Sequence, residues 1–426
     1  MNISPPPKGS LNTTDSRPSL VHEDMSQFQS AGEQLLVGGK TMAEIAQQLG
    51  QTPFYAYDKN VINETMAKLR QALPEAIHLH YAIKANPLAQ VVNHLAGLTD
   101  GLDVASAGEL EIALNSGTLP SKISFAGPGK TDSELTKAIT AGVTINMESV
   151  SEMRRIATIG KSTDIEPRVA IRVNPDFELK ASGMKMSGGP KPFGIDAEQV
   201  PAVLDELKTL ALNFQGFHIF CGSQNLKVDA IVEAQTKTFA LAEKLTQHWG
   251  KPIDWLNIGG GLGVPYFPGE QRLELNTIAD NLRHLLDQYH PSFGKSEIVM
   301  ELGRYLVAEA GLYVSEVIDI KVSRGETFIV TNGGLHHHLA ASGNFGQVIR
   351  KNYPVAVANK MHEGVECEVV SVVGPLCTPL DILAHKMSLP KMRVGDYVAI
   401  YQSGAYGAAA SPQGFLGHPP VVEVLL

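Results

Sequence analysis

The chain has 426 residues, 43% hydrophobic and 19% charged, with 35 basic against 44 acidic side chains and a net charge of −9. At roughly 150 residues per domain this allows two to three domains, or one large α/β barrel with an appended domain, and it excludes disorder over most of the length. The acidic balance argues against a nucleic-acid partner and no uncharged apolar run is long enough to span a membrane.

The start, MNISPPPKGSLNTTDSRPS, lacks a charged-then-apolar pattern, so no secretory signal is expected. Cys221, Cys367 and Cys377 form no CxxC and no disulfide framework, which points to a reducing, cytoplasmic location. Residues 1–27 are rich in Pro, Ser, Thr and Asn and read as a flexible tail. LLVGGKTMAEIAQQLGQ, residues 35–51, reads as a short strand, a turn and an amphipathic helix. Residues 28–54 are expected to join a β-domain further along.

From residue 55 a pattern repeats. Eight short apolar runs are separated by polar-capped helical segments: HLHYAIK (78–84), GLDVAS (101–106), ISFAG (123–127), TINME (144–148), VAIRVNP (169–175), GFHIF (216–220), WLNIGG (255–260) and IVMELG (298–303). Ser106 to Glu109, Thr131 to Glu134 and Ser149 to Glu152 fit the S/T-x-x-E capping box, with Gly142 and Gly160 where helices should end. Strand, cap, helix and stop, repeated over roughly 250 residues, favour a (β/α)8 barrel, here 55–308, over a doubly wound open sheet. After Gly303 the texture changes to alternating strands. GLYVSEVIDIKVSRGETFIVT carries Ser323-Arg324-Gly325-Glu326 as a hairpin turn, and CEVVSVVGPL, VGDYVAIYQSG and VVEVLL follow, so 309–426 reads as a C-terminal β-domain.

Chemistry in such a barrel sits at the carboxyl ends of the strands. Lys84 closes the first run. A lysine there either snorkels to solvent or is desolvated, and desolvation is expected to lower its pKa toward a Schiff-base amine. Gly222-Ser223 follow the sixth run, and Gly259-Gly260-Gly261-Leu262-Gly263 end the seventh. Glycines let backbone N–H groups approach a phosphate, unless these turns simply need positive φ. The eighth run ends Glu301-Leu302-Gly303-Arg304, a carboxylate and a guanidinium that either pair or serve a cofactor's ring nitrogen and phosphate. A lysine on strand one, a phosphate cradle on strands six and seven and an acid on strand eight is the set that pyridoxal 5'-phosphate needs.

From about Thr52 onward, YAIKANP, DVASAGE, GSQN, NIGGG, ELGR, GPLC and SGAY occur in the order found in the fold-type-III pyridoxal-phosphate decarboxylases, and the chain resembles that ornithine, arginine and diaminopimelate decarboxylase family. Within it, the chain looks like the exosortase-A-system-associated decarboxylases and like the butirosin-type glutamyl-carrier-protein decarboxylases, sharing with the latter the elements at Leu335 to His338, Gly374 to Pro379 and Phe415 to Pro419. The resemblance implies a TIM-like barrel of the alanine racemase type plus the C-terminal β-domain. It implies that Lys84 holds the cofactor covalently and that Glu301 bonds the pyridine nitrogen. Ser223, Gly259, Gly260, Gly261 and Tyr406 would bind phosphate, with Arg304 nearby. Asp103, Glu109 and Arg172 match positions around the ring. Cys377 would enter the partner subunit's site in a homodimer and protonate the carbanion after CO₂ leaves, and His218, Thr378 and Tyr406 would face the substrate.

The chain also departs from the better-known members. Phe220 stands where they place a histidine stacked on the cofactor. Thr378 and Gly333 stand where diamine-forming relatives place acids that grip a distal ammonium. A distal cation would therefore be buried without its counter-charge, so an amide-like, uncharged or carrier-protein-tethered distal end fits better than a free diamino acid. Diaminopimelate decarboxylation is the alternative within the family. An amino-acid racemase is disfavoured because racemases set an arginine, not Glu301, at the ring nitrogen. A non-catalytic pyridoxal-phosphate-binding regulator is disfavoured because such homologues lose the lysine or the cysteine. His336, His337 and His338 are expected to alternate faces on a strand and to contact substrate or make a polar loop, not to bind metal.

Overall fold

The computed structural model describes residues 21–178, 183–347, 349–362 and 364–426. Eight parallel strands form the barrel: β1 Ile77–Ala82, β2 Gly101–Val104, β3 Ile123–Phe125, β4 Thr144–Met147, β5 Arg168–Asn174, β6 Asn213–His218, β7 Trp255–Gly260 and β8 Glu297–Leu302. They hydrogen-bond in the order β5-β6-β7-β8-β1-β2-β3-β4, and a β4–β5 pairing closes the ring. Each of the eight apolar runs is one of these strands. A barrel strand is covered by helices outside and by other strands' side chains inside, so it reads as a continuous apolar run.

The helix caps match the expected positions but only one of the three is a full box. Thr131 accepts from the Glu134 N–H while Glu134 accepts from the Thr131 N–H. Ser106 and Ser149 accept from Glu109 and Glu152, but those carboxylates turn to Ala105 and Glu148 instead of to the cap. Gly142 ends its helix in the left-handed conformation. Gly160 does not end one. It lies inside Val150–Thr163, where a Cβ would come within 2.7 Å of the Pro167 ring, so it is required by close packing.

The strands after the barrel are β9 Gly311–Ser323, β10 Glu326–Thr331, β11 Val355–Val357, β12 Cys367–Val373, β13 Ile382–Pro390, β14 Tyr397–Ile400 and β15 Val422–Leu425. They build a separate sheet domain in the order β11-β14-β9-β10-β12-β13, with β15 joined to β9 through Phe54–Tyr57. The β9–β10 turn is the expected one, with Arg324 at φ 52° and Gly325 at φ 83°. Phe54, Tyr55 and Tyr57 are buried, each contributing on the order of 2 kcal/mol by burial. The earlier strand, Gln34–Val37, makes its own small sheet with Ser30–Ala31 and Lys40–Thr41 and is tied to the sheet domain by a Leu35 N–H to the Ala358 carbonyl at 2.7 Å.

Of the expected tail, residues 1–20 lie outside the described residues, and the stretch from Val21 is pinned. The Val21 carbonyl accepts from Gly269, His22 contacts the Asn352 carbonyl at 2.9 Å, and Glu23 pairs with Arg272 at 3.3 Å.

Candidate functional site

Lys84 lies in a one-turn 3-10 segment that follows β1. Its ammonium is 3.6 Å from Glu301 Oε1 on β8 and 5.4 Å from the centre of the Phe220 ring. The other Glu301 oxygen is 3.2 Å from Nε2 of His218, at the end of β6 and 2% exposed. Burial opposes the Glu301 charge, but Lys84 and His218 outweigh it and hold the carboxyl well below the usual carboxylate range. The expectation of a lowered lysine pKa is corrected here. Desolvation pulls the Lys84 ammonium down, but Glu301 together with Tyr406 and Asp103 outweighs it, so its pKa is raised.

Arg172, on β5, donates to Glu148 at 2.8 Å and stacks 5.1 Å from the Phe193 ring. Glu148 also accepts from the Gly127 and Gly194 N–H groups at 2.6 and 2.7 Å, so the guanidinium is fixed by an anchored carboxylate. Asp103 accepts from the Ser124 hydroxyl and pairs with His80 at 3.5 Å. Glu109 accepts from the Ala105 N–H at 2.7 Å. Neither Glu148 nor His80 was singled out by motif. Glu148 was legible only as the last residue of an apolar run, next to a cap.

The glycine strip permits a close approach. Gly259 has φ +69°, and a Cβ at Gly260 would come within 2.1 Å of the Glu301 carbonyl oxygen. Bare backbone at the end of β7 therefore lies directly against β8. Nearby, Ser223 lies in a two-residue bridge to Met184. The Arg304 guanidinium stacks 4.6 Å from the Tyr406 ring and donates to the Tyr266 hydroxyl at 2.8 Å, and its buried Nε has no partner among the described residues. Tyr406 holds a left-handed backbone at φ 53°, a conformation costing on the order of 1 kcal/mol. It is kept there by its N–H bond to the Ala85 carbonyl at 2.8 Å, while Asn86 reaches the Gly404 carbonyl at 3.0 Å. The sheet domain is thus stitched to the turn that carries Lys84.

A group with an aldehyde, a ring nitrogen and a phosphate fits these residues: an amine, an anchored carboxylate, and a side-chain-free strip beside an arginine with an unused donor.

Cys377 and Thr378 are not brought to this group within the chain. They occupy the loop after β12, where Cys377 is exposed. Asp381, 2% exposed, organises that loop by accepting from the Leu335 and Leu376 N–H groups at 2.6 and 2.9 Å. The histidines beside Leu335 correct one expectation. They form a turn, not a strand, and all three are buried. His337 meets the Pro419 carbonyl and His338 the Ser403 hydroxyl, both at 2.9 Å, whereas neither ring nitrogen of His336 has a hydrogen-bond partner among the described residues. Among the described residues no cluster of three or more metal-ligating side chains occurs.

Residues 59–308 match the family model for the pyridoxal binding domain of pyridoxal-dependent decarboxylases. An L-glutamyl-[BtrI acyl-carrier protein] decarboxylase of Niallia circulans is 38% identical over 88% of this chain and 89% of its own length. A diaminopimelate decarboxylase of Aquifex aeolicus is 34% identical over 92% and 90%. A 2-[(L-alanin-3-ylcarbamoyl)methyl]-2-hydroxybutanedioate decarboxylase of Staphylococcus aureus is 30% identical over 86% and 92%. The crystal structure of the Helicobacter pylori diaminopimelate decarboxylase with L-lysine superposes at TM-score 0.79, with 28% identity over 90% of this chain and 94% of that one.

Proposed function

The chain belongs to the pyridoxal-dependent decarboxylases, and we propose that it acts, as a homodimer with shared active sites, on an L-amino acid whose distal end is acyl- or amide-linked and lacks a free cation. It is a carboxy-lyase with pyridoxal phosphate as cofactor. That cofactor, when bound, supplies the electron sink for the carbanion left by departing CO₂. Lys84 would hold it, and Glu301, kept anionic by Lys84 and His218, would accept from the ring N–H. Gly259 to Gly261, Ser223, Tyr406 and Arg304 would take the phosphate. His218 would position Glu301, and Phe220 would keep water from the lysine side. Cys377 of the partner subunit would return a proton to the carbanion from its thiol.

One observation carries the substrate reading: the distal-cation grip is missing and cannot be rebuilt locally. A side chain at Gly333 would put its Cβ 2.0 Å from the Tyr313 hydroxyl. The Thr378 hydroxyl accepts from the Leu380 N–H, and the nearby acid, Asp381, is spent on two backbone donors. A buried ammonium there would lose its counter-charge. In two relatives the named substrates run past a carbonyl, one into an acyl-carrier protein and one into a hydroxybutanedioate. A cytoplasmic enzyme agrees with three unbridged cysteines and with the finding that no described helix is long and apolar enough to cross a membrane.

The test is CO₂ release from diaminopimelate, lysine, ornithine, arginine, glutamate and a γ-glutamyl carrier-protein thioester. Preference for the thioester or an amide supports the reading. Efficient turnover of free diaminopimelate overturns it in favour of diaminopimelate decarboxylation.

A further inference from the structure

A row of buried ionisable groups crosses the barrel interior, and the chemistry above does not use it. His80 lies on β1, four residues before Lys84, and is 2% exposed. Its ring passes over Gly101 on β2, where a Cβ would come within 2.4 Å of Nε2, so bare backbone is needed beside it. Nδ1 lies 3.5 Å from Asp103 Oδ1, and Nε2 lies 3.9 Å from Glu297 Oε1. Asp103 stands opposite Ala82 in the β1–β2 register, two residues before Lys84, whereas Glu297 begins β8 at the other end of the barrel.

This placement fixes the form of the ring. A neutral imidazole has one N–H and one lone pair, so between two carboxylates it would turn the lone pair on one of them. An imidazolium offers a donor to each. Burial opposes that charge, but Asp103 and Glu297 outweigh it. The charges then balance. Lys122, 2.7 Å from Glu297 Oε2, is the second cation, and His78 approaches Glu297 Oε1 at 3.6 Å. Asp103 Oδ1 also accepts from the Ser124 hydroxyl, which accepts from Asn146 at 3.2 Å, while Oδ2 has no hydrogen-bond partner among the described residues. Asp103 is in turn one of the groups that raise the Lys84 pKa. Without His80, the Asp103 carboxylate would act on Lys84 with its charge uncancelled.

We propose that His80 is a positioning residue for the cofactor-bearing lysine: as a cation shared by Asp103 and Glu297, it holds the Asp103 carboxylate in place and sets the charge that the Lys84 nitrogen faces. The proposal rests on the reading of Lys84 as the residue that holds the cofactor, and it is independent of which amino acid is decarboxylated.

The test follows the linkage between Lys84 and the cofactor and needs no substrate. The pH midpoint of the visible absorbance of the pyridoxal-phosphate-loaded enzyme is compared among the native protein, His80→Gln, His80→Lys, Asp103→Asn and the variant carrying both Asp103→Asn and His80→Gln. His80→Gln removes the cation and should move the midpoint up by about one pH unit, because the uncancelled Asp103 charge favours the protonated nitrogen. His80→Lys keeps a cation and should restore the native midpoint. In the Asp103→Asn background, His80→Gln should move the midpoint no further, a coupling that a merely structural histidine would not show. Ring NMR of the histidine-labelled native enzyme should find both His80 nitrogens protonated at pH 7, a readout that stands even where His80→Gln does not fold. An unmoved midpoint in folded His80→Gln, an equal shift with and without Asp103, or a neutral His80 ring at pH 7 overturns the proposal. Failure of the underlying reading looks different: borohydride then fixes no cofactor to Lys84 of the native enzyme, which removes both claims.

Discussion

The barrel mouth and the sheet-domain face around Cys377 treat ionisable groups in opposite ways. At the mouth the charges are paired: Lys84 with Glu301 at 3.6 Å, Arg172 with Glu148 at 2.8 Å, Glu301 with His218 at 3.2 Å. On the sheet face burial wins. It lowers the His336 pKa to about 4 and the His338 pKa to about 3, and it raises that of Asp381. Desolvation penalises charge in both regions, and only the mouth supplies a counter-charge within about 4 Å to outweigh it. The mouth is equipped to hold a charged cofactor. The sheet face, with neutral imidazoles and a carboxylate bonded to backbone, is equipped to fix the shape of the loop that presents a thiol.

The comparison breaks most sharply at Lys84. Lys84→Ala should lower CO₂ release by on the order of a thousandfold or more, because phosphate contacts can retain the cofactor but cannot replace the covalent link. Steady-state CO₂ release, with the visible absorbance of the bound cofactor before and after borohydride, reads this directly. Near-native turnover in the variant would remove Lys84 from its assigned role.

The next effect tests whether the two regions meet across a dimer. Lys84→Ala and Cys377→Ala should each be inactive alone. A random one-to-one mixture makes half of the dimers mixed, each with one intact site, so about a quarter of native activity should return. If mixed dimers form, as seen by mass spectrometry of differently tagged chains, and no activity returns, the shared-site reading fails.

The same comparison explains how much could be read from sequence. All eight barrel strands were legible because burial on both faces leaves unbroken apolar runs. Lys84, Glu301 and the Gly259 to Gly261 strip were legible because strand ends and glycines carry positional meaning. The strand Ile382–Pro390 was not, since ILAHKMSLP mixes charge with apolar residues along a half-exposed strand. Asp381 and Glu148 were also missed. Each works by accepting from backbone N–H groups distant in sequence, and a lone acid in a loop gives no sign of that. Gly160 shows the converse error: a glycine required by close packing against Pro167 looks the same in sequence as one that ends a helix.

Putting charge onto the sheet face should erode the contrast more modestly. Thr378→Glu should raise kcat/KM for diaminopimelate or lysine, relative to an N-acylated counterpart, by on the order of tenfold, since it returns a counter-charge to a distal ammonium. Equal preference before and after would show that Thr378 does not face the distal group. Gly333→Asp should instead lower thermal stability, by on the order of 2 kcal/mol, because its Cβ would overlap the Tyr313 hydroxyl, 2.0 Å away.

The last effect sharpens the barrel side of the comparison and needs no cofactor. His80, 2% exposed, lies 3.5 Å from Asp103 and 3.9 Å from Glu297, which also pairs with Lys122 at 2.7 Å. Burial would lower the imidazole pKa, but Asp103 and Glu297 outweigh it and raise it to about 9. Burial would raise the Glu297 pKa, but hydrogen bonds from His80 and Lys122 bring it down to about 2. A raised folded-state pKa stabilises fully below the unfolded value of about 6.5 and is lost as pH climbs through about 9. A depressed one stabilises above the unfolded value of about 4.5 and is lost as pH falls through about 2. The contribution of this group should therefore be greatest between about pH 4.5 and 6.5, worth up to about 3 kcal/mol shared among its members. Comparing Tm of the native protein with that of His80→Gln at pH 6 and pH 9.5 measures it. A gap of a few degrees at pH 6 should narrow at pH 9.5, as the native imidazole loses its proton and with it the attraction to both carboxylates. A gap of equal size at both pH values would mean that His80 is packed as a neutral ring, and that the barrel interior, like the sheet face, neutralises what it buries.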